Sequence, residues 1–320
     1  MSDDIYFVFI TLTMLLSNGH PTIAFLFLPG TYMIREEIFM KIRNLFLSLA
    51  CLLGLASFSS CGQTQTGLTT EGVLVVGMEC AYAPFNWTET EDTPSNVAIS
   101  NLPGAYADGY DVQVAKIIAE ELNLELQVKA LEWGALINNL NTGGIDLIIA
   151  GMSPTAERLE SIDFTDMYYE STHVMLLEKS NTKYASATSL DDFKDAVVIG
   201  QTGTIYADLV EQAVAHGAIA GTNLTTVPLI VNEIINGETD ATILEEPVAM
   251  GIVSQNPDLM YVKLTEGGFQ VADEDRIVSI GVRKGFELTE NINNVLSAKL
   301  TAEVRASLME NAIASAPSEE

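Results

Sequence analysis

Residues 131–163 read LEWGALINNLNTGGIDLIIAGMSPTAERLESID. Leu136, Ile137 and Leu140 recur at helical spacing, Gly143-Gly144 breaks the helix, and Leu147 to Ala150 is an apolar run of the length of a buried parallel strand. A second helix is predicted to begin near Ser153 to Thr155: a hydroxyl residue caps it, Pro154 suits its first turn and Glu157 complements its positive end. Backbone N–H groups at such an entry, with Arg158 one turn inside, form a seat for an anion the size of a carboxylate. The loop lies beyond the carboxyl end of a sheet strand, where ligands sit in open α/β folds. Arg158 also has Glu160, Asp163 and Asp166 nearby, and an arginine among acids is commonly a surface ion pair of little weight. Its place at a helix N-terminus favours the ligand reading, because a structural arginine belongs at the opposite end of the dipole.

Working outward, Val73 to Gly77 reads as a first strand, followed by a loop from Met78 to Phe85 and a polar surface excursion from Asn86 to Ala107. Asp111 is expected to cap a helix that buries Val112, Ala115, Ile118, Ala119 and Leu122, and Leu124 to Val128 is a second strand. This makes a β-α-β-α-β lobe. The plan recurs: strand Ala196 to Gly200, helix Thr204 to Val214, weak strand Leu224 to Pro228, helix Leu229 to Ile235 and strand Asp240 to Leu244, with the turn Gly143-Gly144-Ile145-Asp146 matched by Gly237-Glu238-Thr239-Asp240. The fold class is therefore α/β: two Rossmann-like lobes joined by a two-strand hinge, with a ligand cleft between them. The chain is expected to cross near Tyr168 to His173 and again near Ala272 to Ile277, and to return through Ser279 to Val282 and a helix from Ile292 to Ala314. Residues 72–169 with 279–316 form lobe 1 and 170–278 form lobe 2.

The 320-residue chain carries 43 acidic against 15 basic side chains, a net charge of -28. That excess excludes nucleic acid as a partner, since neutralising phosphates needs clustered Lys and Arg. Cys51, Cys61 and Cys80 are too few for a disulfide framework. Cys80 has no neighbouring base to activate it, and His173 and His216 show no metal-ligand spacing. No metal and no cofactor is expected.

The amino-terminal segment reads as an export leader. Residues 1–39 are apolar but broken at Ser17-Asn18-Gly19-His20-Pro21, so neither half reaches the roughly 20 residues of a spanning helix; they read as an upstream extension with no structural role. Residues 40–60 then form a signal peptide, with Met40-Lys41-Ile42-Arg43 as the basic start, Leu45 to Phe58 as the apolar stretch and Ser59-Ser60 before Cys61. Cys61 resembles a bacterial lipoprotein processing site, and residues 61–71 a flexible tether. Phe58 stands where that motif usually has leucine, and an ordinary cleaved signal peptide is the alternative. Either leader implies an exported protein at the cell surface or in the periplasm; the lipidated form is held to the membrane at Cys61.

The run Gly151-Met152-Ser153-Pro154-Thr155-Ala156-Glu157-Arg158, followed by Ile162-Asp163-Phe164-Thr165 and Tyr168-Tyr169, resembles the family 3 extracellular solute-binding proteins, the polar amino-acid receptors of ABC importers. Similarity extends to Leu74-Val75-Val76-Gly77, Ala83-Pro84-Phe85, Gly109-Tyr110-Asp111-Val112 and Gln201-Thr202-Gly203-Thr204, nearly all of the chain after about residue 70. The resemblance implies a monomeric receptor that binds an L-amino acid, polar and possibly basic, by lobe closure and presents it to a permease.

A zwitterionic ligand needs positive charge at its carboxylate, anionic acceptors at its ammonium and a wall for its side chain. Arg158 and Ser153 answer the first need, with the N–H groups at Gly203-Thr204-Ile205 assisting from lobe 2. For the ammonium the resemblance points to Glu245, and Glu79 faces the side chain or amino group; both stand where the family usually has Asp, one methylene shorter. Tyr82 and Trp133 match the two aromatic positions that sandwich the ligand side chain, although Trp133 also reads as a core residue, and Gly151 and Gln201 fall in the ligand-lining runs. Together these lean toward arginine, lysine or another polar amino acid. The rival readings are an exported enzyme of the dehydratase kind on the same scaffold, using Glu79 or Glu245 as general acid, and a sensor without a transporter.

Overall fold

The computed structural model describes residues 8–17, 20–29 and 67–317. The leader at 40–60 and Cys61 lie outside the described residues. The chain divides into two compact units, Met1–Thr64 and Gln65–Glu320. The described part of the first is an antiparallel hairpin of Val8–Ser17 with His20–Pro29.

In the second unit β1 (Val73–Met78) leads through a small four-stranded antiparallel sheet to α1 (Tyr110–Glu121) and β2 (Glu125–Ala130). Then come α2 (Leu136–Asn141), β3 (Leu147–Ile148), α3 (Ala156–Ser161) and β4 (Asp163–Glu170). The chain crosses into β5 (His173–Glu178), β6 (Val197–Ile199), α4 (Ile205–Ala215), β7 (Ile219–Ala220), α5 (Val227–Ile235), β8 (Ala241–Glu245), α6 (Glu246–Gln255) and β9 (Leu259–Val262). It returns in β10 (Ile277–Val282) and ends in α7 (Thr289–Lys299) and α8 (Ala302–Ser315).

Two five-stranded sheets result, in the orders β2-β1-β3-β10-β4 and β7-β6-β8-β5-β9. In each the first three strands are parallel and the fourth is antiparallel to both neighbours. That fourth strand is the one that has just arrived from the other lobe: β10 in lobe 1, β5 in lobe 2. The two crossings run side by side, the Ser171 N–H donating to the Arg276 carbonyl at 3.0 Å.

The matched glycine turns do matched work. The Asp146 N–H donates to Val75 O at 2.7 Å while its Oδ2 accepts the Val75 N–H at 3.0 Å. In lobe 2 the Asp240 N–H donates to Val197 O at 2.9 Å and its Oδ2 accepts the Val197 N–H at 2.8 Å. One carboxylate per lobe thus sets the register of the third strand against the first. Asp146 is fully buried and also binds Arg283 Nη2 at 3.2 Å and the Thr69 N–H at 2.7 Å.

Apolar packing crosses between the lobes. Val227, Ile230 and Val231 of α5 and Val248 of α6 share one core cluster with Tyr82 and Phe85 of lobe 1, and α6 packs on α8. The lobes are closed on each other. A separate core in lobe 2 centres on Tyr184 stacked on Phe193, ring centroids 5.4 Å apart.

Four segments differ from the sequence reading. Residues 86–107 are not a mere excursion: they supply three strands of the small sheet, and Asn86 and Trp87 are buried. Asn86 hides in a polar run because its partners are internal, the Cys80 N–H at 2.7 Å and Asp111 Oδ2 at 2.7 Å. Asp111 is therefore not a cap; Gly109 occupies that position at φ 119, where an added Cβ would sit 2.4 Å from Phe85 O. The weak strand falls at β7, with Leu224 making only an isolated bridge to Gln201. The C-terminal helix is two, because the Thr301 hydroxyl accepts the Val304 N–H at 3.4 Å and starts α8 anew.

Replacing Asp240 by alanine is expected to lower stability by about 1–3 kcal/mol, the cost of leaving a strand N–H without its acceptor. Asp146→Ala should cost more, about 3–5 kcal/mol, because it also strands the Arg283 guanidinium. Urea unfolding followed by circular dichroism, giving the shift in midpoint at unchanged slope, measures both.

Candidate ligand-binding site

The carboxyl ends of β1 and β3 in lobe 1 and of β6 and β8 in lobe 2 face each other across the closed interface. There Glu79, Tyr82, Trp133, Gly151, Ser153, Arg158, Gln201, Thr204, Ile205 and Tyr206 line a cavity that the closed lobes shrink to about 20 Å³, room for about one water molecule, so a solute enters only as the lobes part. Every ligand residue expected from sequence is in this lining except Gly203 and Glu245, and Tyr206 is an addition.

Arg158 enters from α3, whose start is capped by Thr155: its hydroxyl accepts the Arg158 N–H at 3.3 Å. The guanidinium lies over the Trp133 ring, 5.1 Å from its centroid, and donates to Ser153 O at 2.9 Å and across the cleft to Gly203 O at 3.4 Å. The neighbouring acid that could have held it is engaged elsewhere, Asp163 pairing with Lys284 at 2.9 Å. Among the described residues no carboxylate forms an ion pair with Arg158. Burial lowers its pKa below the usual arginine value, against the pull of Tyr206, Glu157 and Asp275 in the other direction; the half-buried cation is held by carbonyl dipoles and the Trp133 face rather than by an ion pair.

Glu79 projects from the loop after β1, half-buried. Its Oε1 accepts from Gln201 Nε2 of lobe 2 at 2.9 Å, and Gln201 is fixed in turn on Thr225 O at 3.0 Å. Burial pushes the Glu79 carboxyl up to about 7, with Glu132 adding to the rise and the Gln201 bond opposing it. Trp133 is only partly buried: it packs against the main core and also lines the cavity, its Nε1 donating to Gly203 O at 2.7 Å.

Gly151 sits at φ 62, and an added Cβ would come within 3.0 Å of the Tyr82 ring; only glycine lets Tyr82 approach this closely. Its N–H donates to the Tyr168 hydroxyl at 3.1 Å, which donates to Asp111 Oδ1 at 2.7 Å. Burial raises the Asp111 carboxyl to about 7. Tyr82 stacks on Phe85 at 5.6 Å and donates its hydroxyl to Glu245 Oε2. Glu245 is 4 % exposed and stands behind the wall: the Tyr206 hydroxyl hydrogen-bonds the same carboxylate, and burial raises its pKa.

The polar groups expected to meet an anion are partly committed already. The Ser153 hydroxyl donates to Asp275 O at 3.4 Å, the Thr204 hydroxyl to Gln201 O at 2.8 Å, and the Thr204 N–H to Gln201 O at 3.3 Å. Ile205 contributes an apolar face. Tyr206 escaped the sequence reading because it lies in the first turn of a helix whose apolar face continues through Leu209 and Val210, so it reads as core. Cys80 is buried behind Glu79, and burial pushes its thiol up to about 12, far from a thiolate at neutral pH.

A cleft between two hinged α/β lobes, with a guanidinium on one wall and a carboxylate on another, defines a protein that closes around a small polar solute. The chain belongs to the bacterial extracellular solute-binding proteins of family 3, whose profile matches residues 74–310. It is 29 % identical over 261 residues to the arginine-binding extracellular protein of Bacillus subtilis, a match covering 80 % of this chain and 92 % of that one. A probable histidine-binding protein of Neisseria gonorrhoeae is also 29 % identical, over 223 residues, 68 % of this chain and 74 % of that one. Among solved structures, an amino-acid ABC transporter substrate-binding protein of Streptococcus pneumoniae bound to L-arginine superposes with a TM-score of 0.64 at 25 % identity, covering 78 % of this chain and 97 % of the other. An ancestral arginine-binding protein bound to glutamine gives 0.60 at 28 % identity, covering 76 % and 98 %. No described helix is long and apolar enough to cross a membrane.

A solute that presents a cation to Glu79 needs this carboxyl ionised. Because the group titrates near 7, affinity for such a solute should fall as pH drops from 8 to 5.5, approaching about tenfold per unit below 7. Glu79→Gln should bind more weakly at pH 8 and lose this slope. Titration calorimetry across that range reads both.

Proposed function

We propose that this protein captures a cationic L-α-amino acid, arginine before lysine or histidine, by closure of its lobes and delivers it to the permease of an ABC importer. The observation that carries the reading is Arg158: a guanidinium turned into an interlobe cleft, in ion-pair contact with no carboxylate of the described residues, calls for an anion from outside. The ligand carboxylate takes that place, exchanging the Gly203 carbonyl for a bidentate partner. Glu79, across the cavity and braced by Gln201, receives the distal cation, and the Trp133 and Tyr82 rings flank the carbon chain, with roughly 0.5–2 kcal/mol available per cation–π contact. Gly151, Ser153, Thr204 and Ile205 shape the carboxylate end, and Glu245 supplies negative charge behind the ammonium.

The ligands of the relatives support arginine: the Bacillus subtilis protein and the Streptococcus pneumoniae structure bind it, while histidine and glutamine are those of the other two. The role is that of a receptor rather than an enzyme, acting as a monomer held to the cell surface by lipid at Cys61. Glu79 and Asp111 are the carboxyls raised to about 7. Asp111 is sealed beneath Tyr168, Glu245, also raised by burial, stands behind Tyr82 and outside the lining, and among the described residues Glu79 has only Gln201 in hydrogen-bonding reach; ligand incubated with the protein should return unchanged.

Arg158→Ala is expected to weaken arginine binding by about 2–5 kcal/mol, because the ligand carboxylate is then buried without its partner. Calorimetry with L-arginine, L-lysine, L-histidine and L-glutamine measures it, and unchanged affinity in the variant refutes the assignment. The unaltered protein at a ligand concentration 100 times the dissociation constant should gain about 2.7 kcal/mol of stability.

A further inference from the structure

The acid end of β8 is arranged in a way that the carboxylate alone does not explain. Glu245 does not line the cavity, yet Tyr82 and Tyr206 both do; the Tyr82 hydroxyl donates to it, and the Tyr206 hydroxyl hydrogen-bonds both Glu245 and Tyr82. Tyr82 comes from lobe 1; Tyr206 comes from the first turn of α4, two residues after Thr204 accepts its N–H at 3.2 Å. Both tyrosines are 5 % exposed and Glu245 is 4 % exposed, so the carboxylate is screened from the cavity by the two phenols.

A phenol whose proton is committed to a carboxylate keeps its oxygen lone pairs, and the donation makes that oxygen a better acceptor. We propose that Tyr206, with Tyr82, is the direct acceptor for the ligand's α-ammonium, the two phenol oxygens relaying the charge of Glu245, which touches the ligand only through them. No proton changes owner: each phenol O–H stays directed at Glu245, and the ammonium N–H groups donate to the phenol oxygens. Tyr206 is on this view a specificity residue for a free amino group, and because Tyr82 and Tyr206 belong to different lobes, the acceptor pair is complete only when the cleft is shut. The inference rests on the amino-acid reading above and deepens it.

The test compares L-arginine with its des-amino analogue, 5-guanidinovaleric acid, which keeps the carboxylate and guanidinium but lacks the α-ammonium. Calorimetry is run on the full exported chain, on Tyr206→Phe and on Glu245→Gln. The relay expects Tyr206→Phe to weaken L-arginine at least tenfold and the analogue less than twofold, with Glu245→Gln showing the same selectivity. Equal losses for both ligands, or loss of neither, overturn it. So does a Glu245→Gln variant that loses L-arginine while Tyr206→Phe does not, since Glu245 then meets the ammonium directly. A melting curve for each variant identifies misfolding, and Tyr206→Trp, which fills the wall without a phenol oxygen, serves if the phenylalanine variant melts early: it too must lose L-arginine selectively, and retained affinity overturns the relay. If the unaltered protein binds neither compound, the amino-acid reading fails and takes the relay with it; if it binds both and Tyr206→Phe keeps their ratio, only the relay falls.

Discussion

A half-buried positive charge in ion-pair contact with no carboxylate of the described residues organises this molecule. Arg158 emerges from a helix of six residues too short to be stable alone, yet it is fixed by Thr155 at its own N–H, by Ser153 O on its own lobe and by Gly203 O on the other. Two carbonyl dipoles and the face of Trp133 offset part of the desolvation cost; they do not cancel a full charge. The same carbonyl, Gly203 O, also accepts from Trp133 Nε1. One backbone atom of lobe 2 therefore ties both the cation and its aromatic platform across the cleft, and the closed arrangement is held by contacts that a bound anion would rearrange.

The frame that puts these groups opposite one another is a duplicated device. In each lobe a helix ends in a glycine-containing turn, and the aspartate after it grips the first strand by both its N–H and its C=O, Asp146 on Val75 and Asp240 on Val197. The grip fixes where the parallel strands end, and it is beyond those ends that Glu79, Gly151, Gln201 and Glu245 are presented. The sheets differ in which crossing strand they borrow. Because β10 inserts between β3 and β4 only on the return journey, the sheet of lobe 1 is complete only after the chain has built lobe 2, whereas lobe 2 forms from one continuous segment.

Much of this was legible in residue order, for physical reasons. Strand and helix periods, the twin Gly-x-x-Asp turns and the hydroxyl-capped entry at Thr155 are local signals, and they pointed to two α/β lobes and to Arg158 with Ser153 at a strand end; Glu79, Tyr82 and Trp133 came from the family resemblance. What stayed hidden depends on contacts between distant residues. Asn86 sits in a polar stretch and is buried because Cys80 and Asp111 satisfy it; Asp111 looks like a helix cap and is instead an interior acceptor for Tyr168. Tyr206 carries the pattern of a core residue, and only the meeting of two lobes turns its hydroxyl toward Glu245. The resemblance to a known family named Glu245 as a ligand group, but the extra methylene and the two phenols in front of it are features that only the folded chain displays.

The amino-terminal end of the receptor body is riveted in one place. Arg283 Nη2 donates to Gly67 O at 2.6 Å and Thr69 binds Asp146, so the segment entering the fold is secured to lobe 1 and to the strand that returns there. A pull from upstream of residue 67 enters lobe 1 first, and lobe 2 feels it only through the two crossing strands and the packing of α5 and α6 against lobe 1.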